Sequence, residues 1–146
     1  MKQFPYKMFL VLMLLSAGYM NAQSVFGKWK TIDDRTGSPK GIIEIFKKDG
    51  LMYGKILKVV EKGKEDVLCI KCEGDLKNKP VTGMTIIKDG KKTDDDEWKG
   101  KYLFDPEQAM TFKFKIWLNP EDSDELKVRG YLSFLFRTQT WIRYKG

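Results

Sequence analysis

The sequence predicts an all-β domain, a single antiparallel meander of eight strands closed into a barrel and preceded by a signal peptide. Three observations carry this. After Ser24 the chain breaks into short runs rich in β-branched and aromatic residues, separated by hairpin-sized turn clusters. No amphipathic helix of convincing length follows the leader. The last run, Phe134 to Tyr144, carries Arg137, Trp141 and Arg143, which suit pairing with a first run that carries Gly27 and Trp29. An open meander exposes two edges, and closure removes both. A two-sheet β-sandwich is the alternative.

Residues 1–22 read as the signal peptide and 23–146 as the barrel domain. Lys2 and Lys7 give a positive start, Phe9 to Leu15 an apolar centre, and Met20-Asn21-Ala22 a small-residue cleavage site. The apolar run is roughly ten residues, against about twenty for a spanning helix. Export to the periplasm or the extracellular space, with cleavage near Ala22, is therefore expected.

The strands follow in order. Val25 to Ile32 is the first, and Asp33 to Pro39 a polar turn. Gly41 to Lys47 and Leu51 to Val60 flank Asp49-Gly50, a dipeptide that accepts the positive φ of a tight hairpin. Glu61 to Pro80 is charged and long for a connection in a compact domain, and such loops are often functional. Gly83 to Lys88 is the fourth strand, stopped by Asp89-Gly90, and Glu97 to Phe104 is the fifth. Thr111 to Leu118 alternates: Phe112, Phe114, Ile116 and Leu118 fall on one face, Lys113, Lys115 and Trp117 on the other. Residues 119–124 form a turn. Glu125 to Leu132 sets Leu126, Val128 and Gly130 opposite Lys127, Arg129 and Tyr131. Phe134 to Tyr144 closes the set.

Composition bounds the chemistry. There is no histidine, so the commonest general base and the usual transition-metal ligand are missing. No catalytic constellation is visible, and no enzyme activity, metal or cofactor is expected. The formal charge is +7, of which the leader lysines supply two, leaving +5 for residues 23–146. Acidic and basic residues are interspersed, which argues against nucleic acid as a partner and leaves room for peripheral contact with anionic envelope components. Cys69 and Cys72 are the only cysteines. In an exported protein that pair reads as a disulfide that stiffens its loop. Asp94-Asp95-Asp96-Glu97 lacks the ligand spacing of a calcium loop and reads as a solvated turn.

If the first and last strands pair, an arginine can lie over the indole of Trp29, with Gly27 allowing close passage of the chain. The barrel-closure set is then Gly27, Trp29, Arg137, Trp141 and Arg143. Gly27-x-Trp29 with a late arginine is similar to the pattern of lipocalins. The whole region more closely resembles the exported bacterial family termed domain of unknown function 2147. The resemblance rests on Gly27-x-Trp29, Thr36-Gly37, Gly54-Lys55-Ile56, Cys69-x-x-Cys72, Asn78-Lys79-Pro80, Trp98 with Asp105-Pro106, Leu126 to Tyr131, and Arg137-Thr138-Gln139-Thr140-Trp141-x-Arg143. It implies a lipocalin-like barrel and an envelope location, and no established activity. Phe136 stands where the family tends to have glycine, which questions a close backbone approach there. Gln108-Ala109 replaces an Asn-Gly-type turn, which suggests a looser loop.

Two functions remain open at this point. The first is non-enzymatic binding of a small amphipathic or lipid-like ligand in a lumen lined by Phe112, Phe114, Ile116, Leu126 and Val128. Arg129 and Gln139, with Arg143, would meet its head group; the plainer reading stacks those arginines on indoles. The second is a fully packed barrel that contacts another protein through the Glu61–Pro80 loop and exposed aromatics such as Trp117 and Tyr131. Lumen volume discriminates between them.

Overall fold

The computed structural model describes residues 23–146, so the signal-peptide segment lies outside the described residues. The chain forms β1 (Gly27–Ile32), β2 (Pro39–Lys48), β3 (Leu51–Val59), β4 (Thr85–Lys92), β5 (Trp98–Asp105), β6 (Met110–Asn119), β7 (Asp122–Leu132) and β8 (Leu135–Arg143). Each strand pairs antiparallel with the next, and β8 returns to β1, so one sheet closes on itself. The sandwich alternative does not hold.

The seam between β1 and β8 is short: Trp29 lies opposite Arg143 and Lys30 opposite Ile142. One more backbone bond, from the Tyr144 N–H to the Lys28 carbonyl at 2.9 Å, extends it, and side chains reinforce the closure. Trp29 is fully buried. Its Nε1–H donates to the Val25 carbonyl at 2.9 Å, satisfying the donor that a buried indole must place. The Arg143 guanidinium lies 4.3 Å above the ring centroid. It also donates to Asp124 Oδ1 at 3.1 Å, to the Ser24 carbonyl at 3.1 Å and to the Ser123 carbonyl at 2.9 Å. One arginine thus ties together the segment before β1, the start of β7 and the end of β8. Gly27 has φ +126°, a conformation that side-chain-bearing residues avoid.

Beneath this seam the barrel is packed with apolar side chains. Ile116 and Leu126 are fully buried and Phe114 nearly so. The Phe114 ring lies between β4 and β5 glycines: a Cβ built on Gly100 would sit 2.5 Å from Phe114 Cε1, and one on Gly90 would sit 3.0 Å from its Cζ. Large and small residues interdigitate here, as they do in close-packed interiors.

Most strand limits shift by one or two residues, and two boundaries and one turn depart further from the sequence expectation. Asp89-Gly90 does not stop β4. Asp89 adopts φ +55°, Gly90 still pairs with Met52, and the strand runs on to Lys92 through an irregular register. An Asp-Gly dipeptide suits a bulge as well as a turn. The sixth-to-seventh connection is a tight turn, since Asn119 pairs with Asp122 and β7 begins there. The Gln108-Ala109 turn is not loose. Asp105 Oδ1 accepts from the Glu107 N–H at 2.9 Å, and Gln108 Nε2 donates to Asp105 Oδ2 at 2.9 Å. Ala109 nevertheless holds φ +54°, a left-handed conformation costing an L-residue about 1–2 kcal/mol. Ala109→Gly should therefore raise stability by about 0.5–1 kcal/mol once the added unfolded-state entropy is set against the relieved strain. Denaturant titration reads this as a higher midpoint at unchanged slope.

The Glu61–Pro80 segment folds over one side of the open end as a compact loop. Leu68 bridges Pro80, and the Cys69 carbonyl accepts from Asn78 N–H at 3.0 Å. Gly74–Leu76 makes one 3-10 turn. Cys69 and Cys72 form a disulfide. Both are buried, so the bridge is part of the apolar core as well as a brace for its loop.

Candidate functional site

Strand direction decides which end is open. The β2–β3 and β6–β7 hairpins share the end sealed by Trp29. The β1–β2 loop, the long β3–β4 loop, the β5–β6 turn and the β7–β8 hairpin surround the other. From that mouth a cavity of about 740 Å³ runs into the upper part of the barrel. The volume falls within the range of about 300–1,000 Å³ usual for small-molecule sites. The lower part of the interior is packed, so the lumen is a blind pocket.

The pocket walls are apolar. Ile43, Ile56, Ile86, Leu103, Phe112 and Val128 contribute from five neighbouring strands and β7. Gly130 belongs to the same wall, and a Cβ there would meet only ordinary contacts at 3.6–3.7 Å. Trp141 and Gln139 of β8 also face the pocket. Trp141 Nε1–H donates to Gln139 Oε1 at 3.1 Å. An indole N–H only donates, so that contact fixes which end of the amide is oxygen. Gln139 Nε2 is then turned away from the indole, with no hydrogen-bond partner among the described residues. It is a donor beside an apolar pocket, and the atom that can recognise a polar ligand group.

Charged pairs ring the mouth. Arg137 Nη2 donates to Asp34 Oδ2 at 2.6 Å, joining β8 to the β1–β2 loop. Lys40 Nζ donates to Glu107 Oε2 at 2.6 Å, joining β2 to the β5–β6 turn. Lys64 pairs with Glu61 at 2.9 Å and lies 3.8 Å from Glu107 Oε1. The Lys40 hydrogen bond and charge hold the Glu107 carboxyl below its ordinary range. Asp33 is likewise lowered, by the backbone N–H of Arg35.

Of the residues the sequence assigns to the lumen, Phe112, Val128 and Gln139 line the pocket. Phe114, Ile116 and Leu126 share their face but sit deeper, within the packed end. Arg129 is not in the lumen. Strand alternation puts it outside, where its guanidinium lies 5.2 Å from the Trp117 ring and 4.5 Å from the Phe136 ring. Its Nε donates to Thr138 Oγ1 at 2.7 Å. Within the closure set, Gly27, Trp29 and Arg143 meet at the sealed end. Arg137 does not join them: six residues before Arg143, it lies at the opposite, open end. Trp141 lies between, opposite Leu126 in the wall. Phe136 points outward and is exposed, so the bulky residue crowds no backbone. The acidic run at Asp94 to Glu97 occupies the β4–β5 turn, where Asp96 pairs with Lys92 at 3.1 Å. The mouth residues Lys40, Glu107 and Gly130 were not singled out as a site, because they come from β2, the β5–β6 turn and β7, which lie far apart in the chain.

Comparison with known proteins agrees with this architecture. Among solved structures, protein HP1028 from the human pathogen Helicobacter pylori, described as belonging to the lipocalin family, superposes with a TM-score of 0.70. The match covers 84% of each chain at 18% identity, which supports the fold alone. No curated protein matches the sequence. The family pattern described as "Uncharacterized protein conserved in bacteria (DUF2147)" matches residues 27–143, so the chain belongs to that family.

Proposed function

We propose that this protein is a non-enzymatic, exported envelope protein that binds one small amphipathic molecule in its blind pocket. The observation that carries the reading is the pocket itself: about 740 Å³, apolar-walled and open at one end. The apolar tail would lie against Ile43, Ile86, Phe112 and Val128. An oxygen of the ligand would accept from Gln139 Nε2, and a charged or polar head would remain among Arg137, Lys40 and Lys64 at the mouth. Preformed apolar cavities with a few polar groups are the usual form of such sites. The lack of histidine, and of any paired catalytic groups in the pocket, favours binding over turnover.

The test is titration of residues 23–146, which contain every strand, with a fluorescent fatty-chain probe that brightens when desolvated. Saturable one-to-one brightening is expected. Gly130→Leu should weaken it about tenfold or more, since its side chain would project into the same space. Unchanged probe affinity in a folded Gly130→Leu protein would move binding out of the lumen.

A further inference from the structure

The outer wall carries an arrangement that packing does not require. Lys91 lies directly opposite Lys99, Lys99 opposite Lys115, and Lys115 opposite Arg129. Four adjacent strands thus place four cations in one transverse row, about 14 Å long at the usual strand spacing. Like charges directly opposite one another destabilise a sheet. Glu97 offsets part of this, 3.4 Å from Lys115 and 4.0 Å from Lys99. Lys113 and Lys127 flank the row on the same face. Aromatic rings are interleaved with it: Trp117 takes Lys115 at 4.6 Å and Arg129 at 5.2 Å over its face.

The wall leads upward into an apolar tip. In the β7–β8 hairpin Phe134 is 87% exposed, Leu135 62% and Phe136 61%. Arg129 touches Phe136, so the cationic row and the tip form one continuous surface. Ser133 turns the hairpin at φ +56°, and Leu132 pairs with Leu135 to close it. The tip therefore projects as an ordered structure. Across the mouth, the β3–β4 loop carries Glu61, Glu65, Asp66, Glu73 and Asp75. Lys62, Lys64, Lys71, Lys77 and Lys79 balance those five carboxylates, so the loop is electrically neutral and the unbalanced cations lie on the barrel wall.

We infer that the β4–β7 wall and the Leu132–Phe136 hairpin tip dock the barrel onto an anionic lipid surface. Basic residues beside exposed aromatic and aliphatic groups are the chemistry of the membrane interface. The cations would meet phosphate head groups while Phe134 and Leu135 enter the head-group and acyl boundary. A polyanionic chain would use the row but leave the tip without a role, and a neutral apolar partner would use the tip but not the row. The surface is distinct from the pocket, although docking would bring the mouth close to the bilayer.

The experiment is flotation of residues 23–146 with vesicles of equal phosphatidylglycerol and phosphatidylcholine, and with phosphatidylcholine alone, at low and high salt. Binding to the anionic vesicles is expected, weakened by salt. Lys91→Gln/Lys99→Gln/Lys113→Gln should reduce it about tenfold or more and flatten the salt dependence. Phe134→Ser/Leu135→Ser should reduce it about tenfold; both side chains are exposed, so the fold is kept. Gly130→Leu should leave it unchanged. No flotation, or flotation indifferent to either triple or double variant, overturns the inference. Loss of flotation in Gly130→Leu also overturns it, because retention would then be lipid uptake by the pocket.

Discussion

Replacing Trp29 with alanine is expected to lower the unfolding free energy by about 3–5 kcal/mol, the range for deleting a fully buried aromatic. Most single domains are stable by only about 5–15 kcal/mol. The variant should therefore be marginal or unfolded. The physical reason goes beyond the cavity. β1 and β8 share just two paired positions, so the indole and the guanidinium over it provide much of what closes the sheet. Arg143→Lys isolates that part. It keeps the charge and loses the planar fork, which cannot then bond Asp124 and two carbonyls while stacking on the ring. A loss of about 1–3 kcal/mol is expected by denaturant titration. The seam should also weaken in acid. Lys145, and then Arg143, hold the Asp124 carboxyl below its ordinary 3.8. A lowered folded-state pKa stabilises above the ordinary value and is lost as the pH falls through it, so this contribution fades below about pH 4. A Trp29→Ala protein as stable as its parent would refute this account of closure.

The second large effect is expected at Gly100. A methyl group there would sit 2.5 and 2.7 Å from Phe114 Cε1 and Cζ. The ring cannot simply retreat, because Gly90 of β4 backs it and Met52 lies next to Gly90. Gly100→Ala should therefore destabilise by about 1–3 kcal/mol, as overpacking of a dense core does. The effect should depend on the partner. In a Phe114→Leu background the same change should cost visibly less, giving a coupling energy of about 0.5–3 kcal/mol in the double-mutant cycle. Equal costs in both backgrounds would show that the strain lies elsewhere. The contact matters for function because the Phe114 layer closes the pocket from below.

Much of the architecture was legible in the residues. Alternation along Thr111 to Leu118 and Glu125 to Leu132 fixed both faces of β6 and β7, since a period of two leaves no choice once one face is apolar. Tryptophan and arginine at the two chain ends implied closure. Turn chemistry was less decisive. Asp89-Gly90 carries the same local preference in a bulge as in a hairpin, and only pairing with Met52 tells them apart. Arginine positions along β8 were ambiguous for a related reason: Arg137 and Arg143 share a face but sit at opposite ends of a long strand, so one faces the mouth and the other the seal. Arg129 follows the outward face of its own strand, which the alternation with Val128 already marks. Depth along the barrel axis was not legible. Phe112 and Phe114 are equivalent by pattern, yet one lines the pocket and the other is packed beneath it. That distinction comes from glycines on neighbouring strands, which no single strand reveals.

The pocket and the outer wall are the two surfaces on which the proposals rest. Apolar walls and the Gln139 amide face inward, and the cationic row with its aromatic tip faces outward. A barrel that rests on lipid with its mouth close to the head groups could exchange an amphipathic ligand without passing it through bulk water. The central claim is the inner surface, and native mass spectrometry of the purified protein tests it most directly. A reproducible adduct of lipid-like mass, released on denaturation and missing from Gly130→Leu, is the result this account predicts. A bare protein mass from several growth conditions, with no adduct gained on adding fatty-chain amphipaths, would contradict it.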